Sequence, residues 1–352
     1  MKKNILMAAS IALAMLSACN PLETEQLRDI RFVTSPHAMT KSPIDGTTLP
    51  NDYNLIVSAY RNLGDHAGSS DAAGNYFTNV TFSKQVSHWT ESRYWPLDGT
   101  LDFLAYATAG LKNPNVGVVP TAVWGDQGGN VAKKVVLTVP DNSTLFDDIL
   151  FGASNGQAYD AEGTVLTLCH AETVVCFAAK ANVGYDETNN RGVTINSITL
   201  DGAYYSGSLT IENPGAGGGS GTLSANWSSL GNQKAHIPAR VYGGAPCAAN
   251  EPALADLHLG TSATTFNEKH FGEAYVILPP QAAVSFTIHY TVHNGIAGDT
   301  PINSTMEYTY SCSGNWAQGT KNLYTIEITL NEIVITPTVT DWEPGTATTV
   351  QI

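Results

Sequence analysis

Gly152-Ala153-Ser154-Asn155-Gly156 places a serine in the G-x-S-x-G spacing that hydrolases use. In those enzymes a strained strand-to-helix turn lifts the serine hydroxyl clear of a sheet, where a histidine can deprotonate it. Here Gln157-Ala158-Tyr159-Asp160 opens no helix, so the stretch reads as a turn at a seam between two halves. Pro214 to Gly221 is rich enough in glycine to wrap a phosphate. No Gly-Lys-Ser/Thr follows it and strands flank it, which makes it a hairpin loop. His289 and His293 share one face of a strand but stand about 13 Å apart at roughly 3.3 Å per residue, too far to hold one metal ion. Neither H-E-x-x-H nor an aspartate-rich calcium loop occurs. The acidic pair Asp147-Asp148 suits a solvated turn as well as acid–base work. No catalytic residue, metal site or cofactor is therefore expected, and the chain is read as a non-enzyme.

Chemistry of another kind is written at the start of the chain. Lys2 and Lys3 precede an apolar run from Ile5 to Leu16, too short to cross a membrane as a helix. Leu16-Ser17-Ala18-Cys19 then matches a lipobox, in which the Cys19 thiol is acylated and the bond before it is cut. Acyl chains anchor a protein at about 0.8 kcal/mol per buried CH₂. Asn20 gives no reason to expect retention at the inner membrane, so outer-membrane anchoring is expected. Residues 1–19 are set aside as a targeting segment. Export permits disulfides. Cys247 and Cys312, both in Gly/Pro/Asn-rich surroundings, are the candidate bridge, while Cys169 and Cys176 suit small buried apolar positions.

The remaining composition excludes one class of partner. Only 14% of the 352 residues are charged and the formal net charge is −14. Neutralising phosphates takes clustered Lys and Arg, so no nucleic-acid partner is expected.

The elements that must carry these residues read as β-strands almost throughout. Tyr324, Ile326, Ile328 and Leu330 alternate with more polar neighbours, and Val284, Phe286, Ile288, Tyr290 and Val292 do the same. A period of two belongs to a strand with one buried face. Ile30–Ser35, Tyr53–Tyr60, Leu101–Ala107, Val135–Val139 and Val193–Leu200 are further strands, and Gly207–Ile211 with Thr222–Trp227 form a hairpin. Ala249–Leu259 is the one expected helix. Ser154 to Gly163 divides the chain into halves at 20–160 and 161–352. The fold class is all-β, built as sandwiches.

Taken in order, several of these stretches resemble the fimbrillin family, the lipoprotein pilins of type V fimbriae. They include the lipobox at Cys19, Ser42-Pro43-Ile44-Asp45-Gly46 leading to Val57-Ser58-Ala59-Tyr60, and Tyr94-Trp95-Pro96 through Tyr106. Asp148-Ile149-Leu150-Phe151-Gly152, Leu278-Pro279-Pro280-Gln281 and the Tyr324–Trp342 segment complete the series. The resemblance implies two transthyretin-like β-sandwiches in tandem and a cell-surface place in a fimbrium, with other fimbrial subunits as partners and an adhesion target not specified. It also implies assembly by strand exchange: a protease removes the first strand, and a terminal strand of a neighbour fills the groove. On this sequence the removable strand carries Ile30, Phe32 and Thr34. The cut falls at Lys41, with Arg28 and Arg31 as alternatives, and the donor Thr346–Ile352 presents Val350 and Ile352. The competing reading is a monomeric outer-membrane lipoprotein that binds glycan or host protein through Trp124, Trp227 and Trp316.

Overall fold

The computed structural model describes residues 28–36, 49, 51, 53–63, 74–109, 119–125, 133–140, 148–231, 237–238, 240–242, 257–261, 264–265, 273–298, 300–329 and 333–341. The first nine strands are β1 (Asp29–Pro36), β2 (Asn54–Asn62), β3 (Gly74–Lys84), β4 (Trp89–Tyr94), β5 (Thr100–Thr108), β6 (Thr121–Trp124), β7 (Lys134–Val139), β8 (Leu150–Gln157) and β9 (Thr164–His170). Seven of them close a ring in the order β1-β4-β3-β2-β5-β8-β9, because β1 also pairs with β9. Closure leaves that sheet without a free edge. Ile30, Phe32, Leu55, Val57, Phe77, Phe82, Trp89, Phe103, Leu166 and Leu168 fill its interior.

A second layer covers one flank of the ring. β10 (Thr173–Ala181), β11 (Arg191–Leu200), β12 (Gly207–Glu212) and β13 (Ser224–Ser228) follow in the chain. β12 and β13 join β7 and β6 in a four-stranded sheet, order β13-β12-β7-β6. Leu137, Val139, Leu209 and Ile211 of that sheet pack on Ile56, Leu104, Tyr106 and Phe151 of the ring. β5 is thus buried on both faces, which is why Phe103-Leu104-Ala105-Tyr106-Ala107 runs apolar without alternation. Among the described residues three pairings cross residue 160: β1 with β9, β8 with β9 and β7 with β12.

The rest of the chain forms two facing sheets. Short strands β14 (Ile237–Pro238), β15 (Arg240–Tyr242), β16 (Leu257–His258) and β17 (Thr264–Thr265) precede β18 (Glu273–Leu278), β19 (Gln281–Ala282) and β20 (Phe286–Ala297). β21 (Thr300–Tyr310), β22 (Asn315–Trp316), β23 (Thr320–Ile328) and β24 (Ile333–Asp341) end the series. One sheet runs β15-β18-β10-β23-β24 with β17 beside β10, and the other runs β14-β11-β20-β21 with β16 beside β11. Val175, Phe177, Ile195, Ile198, Phe286, Ile288, Tyr324 and Ile326 interdigitate between them. Such burial is worth roughly 1.5–3 kcal/mol for each large side chain.

The all-β expectation holds, and no α-helix occurs among the described residues. The expected helix Ala249–Leu259 needs correction where it is described. Leu257–His258 is a strand against Ile195 and Thr194, and residues 249–256 lie outside the described set. The G-x-S-x-G stretch is likewise no turn: it lies inside β8, with Ser154 opposite Phe103. Gly152 is there because a Cβ would stand 2.3 Å from the Thr167 carbonyl oxygen of β9.

Candidate functional site

β1 alternates as its sequence requires. Ile30, Phe32 and Thr34 are buried in the ring, and Arg31 points to solvent. The strand is not an edge. It pairs antiparallel with β4 through Asp29↔Tyr94, Arg31↔Thr90 and Phe32↔Trp89. On its other side it runs parallel to β9, five residue pairs from Phe32↔Thr164 to Pro36↔Leu168. Among the described residues, 164–168 of β9 pair with β1 alone, since β8 takes only Cys169 and His170. Gly163, at φ +96°, lets the chain enter β9 where a Cβ would stand 3.2 Å from the Arg31 carbonyl oxygen.

Each inward side chain has a distinct seat. The Phe32 ring meets Phe82 and Phe103 edge to face, at centroid distances of 4.8 and 4.9 Å. Two residues on, the seat is polar. Thr34 Oγ1 accepts hydrogen bonds from Trp89 Nε1–H (3.3 Å) and from the Leu49 backbone N–H (3.4 Å). Trp89 and Leu49 are themselves buried, and Lys84 Nζ donates to the Leu49 carbonyl. Taking β1 away would leave two buried donors and an aromatic gap, each costing free energy until refilled.

The three candidate cleavage residues differ in place. Arg28 precedes the strand, its guanidinium 4.9 Å from the Tyr159 ring centroid and its carbonyl accepting from Trp95 N–H. Arg31 lies within the paired strand, beside Asp29 at 3.5 Å. A cut after Arg28 would leave β1 attached, and one after Arg31 would have to reach into a ladder closed on both sides. Lys41 follows the strand in sequence but lies outside the described residues, as do Cys19, Cys247, Val350 and Ile352.

The other residues whose types invited chemistry are engaged in holding the fold. Asp148 is not solvated: its carboxylate meets His170 Nδ1 at 2.7 Å with both side chains buried, tying the entry of β8 to the end of β9. Asp102 accepts from Asn62 and from the backbone N–H groups of Gly156 and Gly217, which pins the glycine-rich loop to the ring. His293 bonds Asn190, Asn303 and Thr194, while His289 faces Glu307 at 3.8 Å. Among the described residues no group of His, Cys, Asp or Glu is arranged to hold a metal ion. Cys312 is a free thiol, while Cys169 is half-buried and Cys176 buried. Burial pushes the Cys312 thiol up to about 11. The tryptophans form no shared platform. Trp316 is buried and donates to the Tyr324 hydroxyl, Trp227 donates to the Ala171 carbonyl, and Trp124 lies on the opposite edge of the four-stranded sheet from Trp227.

The family model described as fimbrillin-like matches residues 49–342. The chain belongs to the fimbrillin-like family. That match spans the ring from Leu49 onward, the second layer and the facing sheets, and leaves out β1 and residues 343–352. Among solved structures, a fimbrial protein from Bacteroides vulgatus shares the fold at TM-score 0.55 and 12% identity, covering 90% of this chain and 99% of that one. A fimbrial assembly protein from Parabacteroides distasonis is a looser likeness, TM-score 0.34 at 13% identity over 92% and 98% of the two chains. No curated protein matches the sequence. The sequence set Thr34 on the first strand, but its partners Trp89 and Leu49 were not legible, because the three meet only when the ring closes.

Proposed function

We propose that this fimbrillin-like chain is a fimbrial structural or tip subunit that assembles at the cell surface by exchanging β1 for a strand of its neighbour. The single observation that carries the reading is the setting of β1. It completes the ring by backbone pairing on both sides and by three seated side chains, and a segment containing Lys41 joins it to the rest. Lipidation at Cys19 anchors the precursor to the outer membrane, and cleavage after Lys41 frees the strand. Residues Thr346–Ile352 of another subunit then refill the slot. Reburying its large apolar side chains is worth roughly 1.5–3 kcal/mol each, on top of ladder bonds to β4 and β9. The subunits are then linked into a fibre that mediates adhesion.

Limited trypsin digestion of the full chain tests this. The expected result is loss of the N-terminus up to Lys41, followed by an SDS-resistant ladder of multimers, with both absent from a Lys41→Ala chain. A trimmed protein that stays monomeric would favour the lipid-anchored binding module instead.

A further inference from the structure

Building on the strand-exchange reading, we infer that the slot receives residues 348–352 of a second copy running in the direction opposite to β1. Ile352 takes the seat of Ile30, Val350 that of Phe32, and Thr348 that of Thr34. The slot reads, in the direction of β1, as apolar, then aromatic-lined, then hydroxyl-bonding. In residues 346–352, Thr-Ala-Thr-Thr-Val-Gln-Ile, the alternate positions Thr348, Val350 and Ile352 carry the same three properties in reverse order. Laid in along β1's own direction, the segment would set Thr348 in the apolar seat and Ile352 against the N–H groups of Trp89 and Leu49. Two buried donors would then face a methyl group, whereas the reversed strand offers them the Thr348 hydroxyl. The other alternate set, Ala347, Thr349 and Gln351, brings no large apolar side chain to any seat.

Reversal also improves the ladder. The longer of β1's two pairings, five residue pairs with β9 against three with β4, is the parallel one. A strand entering the other way makes that longer ladder antiparallel, the slightly more stable geometry per residue. The exchange therefore has a direction: the incoming strand satisfies the same donors and holds β9 better than the strand it replaces.

Direction is read by cross-linking. Val33 stands opposite Val165, which is exposed on the outside of the ring. With Val350 in the Phe32 seat, a reversed strand brings Thr349 opposite Val165, and an unreversed one brings Gln351 there. Full-length Val165→Cys/Thr349→Cys and Val165→Cys/Gln351→Cys chains would be trimmed with trypsin and oxidised, and the linked peptides identified by mass. The expected result is an intermolecular bridge in the Thr349 variant only; a bridge in the Gln351 variant only, or in both equally, overturns the inference. As a second measurement, synthetic peptides of residues 346–352 would compete for the slot during trimming of the full chain. Thr348→Val is expected to weaken the peptide roughly tenfold, with Thr349→Val unchanged. In the unreversed register the same Thr348→Val change would strengthen it. If the wild-type chain trims yet forms no multimers and binds no peptide, strand exchange itself fails, an outcome distinct from a bridge at the wrong position.

Discussion

Phe32 and Phe103 meet edge to face across the interior of the ring, centroids 4.9 Å apart and planes at 88°, although β1 and β5 are not neighbours in the sheet. The first strand therefore contributes to the core as well as to the ladder, and in the proposed exchange the incoming strand must do both. Phe32→Ala in the full-length chain is expected to cost about 3–5 kcal/mol, the usual range for truncating a buried phenylalanine. Denaturant unfolding measures the loss. Multimers formed after trimming should be unaffected, because the mutated strand has left.

The polar seat beside it predicts a smaller, sharper effect. Thr34→Val keeps the shape but removes the acceptor from Trp89 Nε1–H and Leu49 N–H. The expected loss is about 1–3 kcal/mol, again by unfolding of the intact chain. Thr34→Ser should recover most of it, which separates the hydroxyl from mere packing.

Much of the ring was legible in the sequence and its closure was not. The alternation of Ile30, Phe32 and Thr34 announces a strand with one buried face, and the apolar run Phe103–Ala107 of β5 fits a strand buried on both. The partner of β1 is another matter. A parallel pairing with β9 joins residues far apart in sequence, and no local pattern records such a contact. The Gly152–Gly156 spacing misled for a related reason, since Gly152 answers to the Thr167 carbonyl on the next strand. Asp148 looked like part of a solvated pair because its buried partner, His170, lies a strand away.

Burial of Tyr106, against the Trp124 ring at 6.0 Å, pushes its phenol from 10.0 up to about 12. A group whose folded value is raised contributes stability that is complete below its unfolded value and is lost as pH climbs through the folded one. Stability should therefore hold to about pH 10 and fall between 10 and about 12, as the unfolded state deprotonates first. Tyr106→Phe should flatten that fall. Unfolding free energy measured against pH, with phenolate absorbance recorded alongside, checks the sign.

Cys312 should be a sluggish nucleophile. Desolvation raises its thiol from 9.0 to about 11, leaving roughly a hundredfold less thiolate near pH 8 than an ordinary cysteine has. Site-resolved mass spectrometry after brief iodoacetamide treatment of the native chain should show it largely unlabelled. Labelling should become complete once the chain is unfolded in denaturant.

Backbone amide exchange in residues 164–168 tests the central claim most directly, because that part of β9 pairs with β1 and with no other strand among the described pairings. Exchange would be followed in the intact chain, immediately after trimming at Lys41, and in the assembled multimers. The expected result is protection, then loss of protection, then its return. Amides that stay protected through trimming, or that never regain protection in the multimer, would contradict a slot that is emptied and refilled.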